Sequence, residues 1–89
     1  MVFVKRLVLD VLKPHQPNAL VFSCNLAEVG NDCTVVLTVL EVDKNTETIQ
    51  LEIEGNDIDF EAIQSAITNM SGSLHSIDAV EVKNEPDNQ

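Results

Sequence analysis

The 89 residues carry 15 acidic and only 5 basic side chains, a formal net charge of −10. That balance excludes a surface built for nucleic acid or anionic membrane, because phosphate binding needs clustered Lys and Arg. Hydrophobic residues make up 44%, with three Phe and no Trp or Tyr, which excludes wholesale disorder and suits one small domain burying roughly 60% of its unfolded surface. No apolar run approaches the ~20 residues that span a bilayer. Residues 1–6 lack the apolar core and cleavage site of a signal peptide, so a cytoplasmic protein is expected.

The first predicted element is the apolar run 6–13, stopped by Pro14, which lacks a backbone donor and restricts the residue before it. Leu7, Leu9 and Val11 share one face with Lys13; Arg6, Val8, Asp10 and Leu12 share the other. A strand apolar on both faces belongs in the centre of its sheet. A helix is predicted over 17–29, entered at Pro17 and Asn18 and stopped by Gly30 and Asn31. Ala19, Phe22, Leu26 and Val29 form its buried stripe. Leu20, Val21 and Cys24 fall off that stripe, and a helix apolar nearly all round needs cover on a second side.

Two strands follow, 34–42 and 46–54, joined by the short turn 43–45 as an antiparallel hairpin. In the first, Val35, Leu37 and Val39 point one way and Val36, Thr38, Leu40 and Val42 the other. In the second, Ile49, Leu51 and Ile53 point inward and Thr48, Gln50, Glu52 and Glu54 outward. A second helix runs to about Met70, capped by Asp57 or Asp59, with Phe60, Ile63, Ile67 and Met70 on its buried stripe. Gly72 is expected at the left-handed position after it. The last strand, 73–83, has Leu74, Val80 and Val82 on one parity and Ile77 and Ala79 on the other, a conflict that a bulge near 76–78 resolves. Residues 1–83 are read as one domain and 84–89 as a flexible, polar tail.

The order strand, helix, strand, strand, helix, strand is the split βαβ unit. The predicted fold is α+β: a ferredoxin-like βαββαβ sandwich, with a four-stranded antiparallel sheet in the order 4-1-3-2 and two helices on one face. The segments RLVLDVLKPH (6–15), TVLEVD (38–43), IEGNDIDFEAI (53–63) and HSID (75–78) resemble, in the same order, the archaeal domain-of-unknown-function family 211. The resemblance implies a ferredoxin-like fold, assembly into ring-like homo-oligomers and no established biochemical activity.

No catalytic constellation stands out. Two cysteines cannot ligate an iron–sulfur cluster, which takes four. Cys24 and Cys33, with no CxxC and no His at metal spacing, read as buried, reduced thiols. Gly30, Gly55 and Gly72 are isolated and form no phosphate loop. His15 and His75 read as surface or hydrogen-bonded residues. The arrangement worth weighing is acidic. If the first and third strands lie as parallel neighbours, Asp10 falls beside a Glu of the set Glu52 and Glu54, with Arg6 balancing another carboxylate, while Glu41 sits on the inward parity.

Asp10 interrupts a central apolar strand, where a charge is costly unless paired. Lys13 is on the wrong face and Arg6 is about 13 Å back along the strand. One reading is a salt bridge to a neighbouring strand or subunit. The other is a divalent-cation site on Asp10, Glu52, Glu54 and Asp78, taking Ca²⁺ or Mg²⁺ through oxygen ligands. The functional reading is a homo-oligomeric binding or assembly module larger than a dimer, whose partner is itself. The alternative is an enzyme using carboxylates and His75 at a subunit junction.

Overall fold

In the computed structural model, which describes residues 1–30 and 32–86, the apolar run of the sequence is the middle of a long strand, β1 (Val2–Pro14). It is followed by α1 (Ala19–Gly30), β2 (Cys33–Val42), β3 (Thr46–Gly55), α2 (Phe60–Asn69) and β4 (Ser73–Asn84). The sheet order is β2-β3-β1-β4. This is the ferredoxin-like order predicted, read from the other edge, and β1 is central as its two apolar faces require. Every adjacent pair is antiparallel. The parallel arrangement of β1 and β3 supposed for the acidic residues is therefore corrected: the β2–β3 hairpin reverses the chain, so β3 must oppose β1.

Leu7, Leu9, Val11, Ile49, Leu51 and Ile53 line one sheet face and pack against Phe22 and Leu26 of α1 and Ile63 and Ile67 of α2. The starts of both helices follow from caps. Asn18 accepts the Val21 amide at 2.9 Å on its side chain, so α1 starts two residues later than predicted. Asp59, rather than Asp57, accepts the Ala62 amide at 3.1 Å and caps α2. Val29, expected on the buried stripe of α1, is exposed, and Asn31 lies outside the described residues. Leu20, Val21 and Cys24 are exposed as well.

After α2 the left-handed residue is Ser71, with φ 65°; Gly72 has an ordinary negative φ, against expectation. The reason Gly is needed there is space. A Cβ on Gly72 would meet Ile67 Cγ2 at 2.9 Å and Phe22 Cζ at 3.3 Å.

Bulges set which residues share a face. One lies in β4 at Asp78, as the parity conflict predicted, and brings Ile77 onto the helix side with Leu74, Val80 and Val82; a second lies at His75. A third, at Leu40 in β2, was not predicted. It pairs Glu41 with Thr48 and Val42 with Glu47, so Glu41 lies on the open face and Val42 on the helix side, the reverse of the simple alternation. A fourth, at Lys5 in β1, turns Val4 inward against the core. Beyond the predicted last strand, Glu85 is tied down: its amide donates to Met1 O at 2.9 Å and its carboxylate meets Lys5 Nζ at 3.2 Å. Residues 87–89 lie outside the described residues.

Candidate functional site

The open sheet face carries the polar residues singled out in the sequence. Across it the rows run Thr34, Glu54, Arg6, Glu81; then Val36, Glu52, Val8, Ala79; then Thr38, Gln50, Asp10, Ser76. Asp10 thus faces Gln50 and Ser76, not a Glu, because antiparallel pairing slides Glu52 opposite Val8. Its partner comes from the edge strand, where His75 Nδ1 lies 3.2 Å from Asp10 Oδ2. Arg6 takes the two glutamates, at 3.1 Å from Glu52 and 3.5 Å from Glu54. Asp78 accepts the Ser76 hydroxyl at 2.7 Å. Each of the four predicted cation ligands is therefore already partnered within the protein, Glu52 and Glu54 sharing Arg6. Among the described residues no three His, Cys, Asp or Glu side chains converge as a metal group would need.

Asp10 and His75 also border a small cavity of about 230 Å³, lined with Val11, Leu12 and Thr48. The pair resembles half of a catalytic triad, but the Ser76 hydroxyl is committed to Asp78, and His75 is 78% exposed at its side chain. What the arrangement can do is bind: a weak acid–base pair beside a mostly apolar hollow.

A second cluster was not found from sequence. Lys13, on the inward parity, is fully buried, and its ammonium meets Glu47 Oε1 at 3.2 Å and Pro14 O at 2.8 Å, above the Phe22 ring. Glu47 Oε2 lies 2.9 Å from His15 Nδ1, and His15 Nε2 lies 2.9 Å from Lys44 O. Both partners of the imidazole are acceptors, so only the doubly protonated ring satisfies both. The hydrogen bond to Glu47, then that to Lys44 O, accordingly raises the His15 pKa above its ordinary value. The bonds from His15 and Lys13 hold the Glu47 carboxyl below its own. The signal in the sequence was Lys13 itself, a lysine in register with three core residues.

The cysteines are both free thiols, but not the buried pair expected: Cys24 is exposed, on the uncovered side of α1, and Cys33 is only partly covered. Burial, with Asp32 nearby, pushes the Cys33 thiol up. Among the described residues no helix is long and apolar enough to cross a membrane.

With this geometry in hand, the comparisons agree with the motifs. The model of the DUF211 family, described as uncharacterised ArCR, matches residues 5–85. The chain belongs to the archaeal DUF211 family. An uncharacterised protein of Methanocaldococcus jannaschii is 44% identical over 77 residues, which span 86% of this chain and 79% of that protein. The match begins at the bulge residue Lys5 and ends at Glu85, two residues joined by an ion pair. The DUF211 match therefore takes in every bulge described above.

Proposed function

We propose that this DUF211 chain is a homo-oligomeric module, assembling head to tail into a ring larger than a dimer and binding a small ligand or cation where subunits meet. The observation that supports the reading is the amount of apolar surface a single chain leaves bare on separate faces. Leu20 and Val21 on α1, Val36, Leu40 and Val42 on β2, and Ile77, Val80 and Val82 on β4 are all exposed. Large apolar patches are uncommon on monomers, and different patches that meet head to tail close a ring. Size-exclusion chromatography with light scattering at micromolar concentration tests this. The expected mass exceeds twice the 9.8 kDa of one chain; a monomer or a dimer overturns the reading.

Cation binding fits only between copies. Within one protomer Asp10, Glu52, Glu54 and Asp78 are held by His75, Arg6 and Ser76, so a Ca²⁺ or Mg²⁺ site needs carboxylates from two subunits. The expected outcome is a saturable rise in melting temperature with either ion that Asp10→Asn abolishes. An identical response in the variant removes Asp10 from any such site. The Asp10–His75 pair is what favours the enzyme reading, and a hydrolase screen that returns activity lost in His75→Gln would move the chain into that class.

A further inference from the structure

The sheet order leaves β2 and β4 as edges, each with one backbone side unpaired. Such edges pair with further strands unless something blunts them. Four strands alternating in direction have edges that run opposite ways: β2 is parallel to β1, and β4 is antiparallel to it. A copy related by rotation therefore presents its β2 antiparallel to β4 of the first, with all helices on the same side. The straight stretches match. β2 carries no extra residue over 34–39 and β4 none over 79–82, and the rows place Thr34 level with Glu81 and Val36 level with Ala79.

The side chains argue for the same match over a two-fold pairing of like edges. Residues 33–40 of β2 carry no charge in a chain of net charge −10, whereas β4 carries Asp78, Glu81 and Lys83; an antiparallel β4–β4 contact centred between Asp78 and Glu81 would set each against the other carboxylate of the second copy. On the helix side of β4, Ile77, Val80 and Val82 are 48%, 56% and 55% exposed. Each edge strand has a helix against it, α1 over β2 and, more sparsely, α2 over β4. Asn25, bonded to Met70 of α2, marks the inner flank of α1. Leu20, 72% exposed, therefore lies on the outer flank. Only a head-to-tail contact sets that outer flank over the bare side of β4.

We infer that β4 of one copy pairs antiparallel with β2 of the next, extending the sheet from subunit to subunit and laying the outer flank of α1 over Ile77, Val80 and Val82. The inference rests on the ring assembly proposed above. It predicts a continuous sheet in which neither edge stays free.

Disulfide trapping tests it in a Cys24→Ser, Cys33→Ser background. One chain carries Val36→Cys and a second carries Ala79→Cys, both at exposed positions on the open face. The expected result is a covalent species of twice the protomer mass in the oxidised mixture and none in either chain alone. Ring closure staggers neighbouring strands, so Thr34→Cys and Thr38→Cys, one same-face step either way, are run beside Val36→Cys. Cross-linking of the Val36→Cys chain with itself would overturn the head-to-tail match in favour of a two-fold. An oligomer by light scattering that gives no β2–β4 disulfide at any of the three positions overturns the edge pairing and leaves the ring standing. A monomer overturns both. Amide exchange on the unmodified protein is the second measurement: residues 34–39 and 79–82 should exchange slowly throughout, and fast exchange at alternate amides of either stretch contradicts the pairing.

Discussion

At the scale of the residue, Gly72 and Ser71 show how a correct residue choice can have an unexpected cause. Turn chemistry pointed to glycine for its left-handed backbone, yet Ser71 takes that conformation and Gly72 is required by the closeness of Ile67 and Phe22. Gly72→Ala should then destabilise through overpacking, by about 1–3 kcal/mol, as read from urea unfolding. A loss no larger than a few tenths would mean that Ile67 and Phe22 give way and that their closeness does not require glycine.

The His15–Glu47 pair carries a pH signature. The folded pKa of His15 is raised, so its contribution is complete below the unfolded value near 6.5 and is lost as pH climbs through the folded value. The folded pKa of Glu47 is lowered, so its contribution is present above about 4.5 and is lost as pH falls through the folded value. The stability gap between the native protein and His15→Gln should be widest at about pH 5–6 and shrink toward alkaline pH. A gap independent of pH would mean that folding leaves the His15 pKa where the unfolded chain has it. Sequence reasoning left His15 as surface or hydrogen-bonded, because nothing in a linear chain says that the β2–β3 turn will deliver both Lys44 O and Glu47 to its two nitrogens.

At the scale of the element, periodicity located all six elements, and the strand and helix types came from it directly. Side-chain facing was less legible where the ladder slips. The bulge at Asp78 betrayed itself because Ile77 broke an apolar parity, whereas the bulge at Leu40 was silent: Val39, Leu40 and Val42 are apolar on either face. The same limit misplaced Glu41. Helix ends depended on caps, and the choice between Asp57 and Asp59 was open until the Ala62 amide was seen to bond Asp59. Asp59→Ala should cost about 1 kcal/mol in chemical denaturation and Asp57→Ala much less. Equal losses would mean that charge near the helix start, rather than the cap bond, is what matters.

At the scale of the whole molecule, the strand order follows from the element sequence and right-handed crossovers. The candidate cation site does not, since it turned on the direction of β3 relative to β1. Reversing that direction separates Asp10 from the glutamates and hands it to His75. What the sequence pattern did convey was surplus: more apolar side chains than two helices and one sheet face can cover. In the folded chain that surplus sits at the two sheet edges and on the outer side of α1, around a protomer with extents of 54 × 22 × 17 Å. Four strands about 4.8 Å apart span far less than 54 Å, so the long axis follows the strands and the bare edges run along the long sides, which suits joining side by side.

Small-angle X-ray scattering of the unmodified protein at micromolar to millimolar concentration measures that joining directly. A head-to-tail ring predicts a radius of gyration well above the 13.6 Å of one protomer, constant on dilution, with a distance distribution depleted near the centre. A radius that stays at the protomer value across the series would contradict the account.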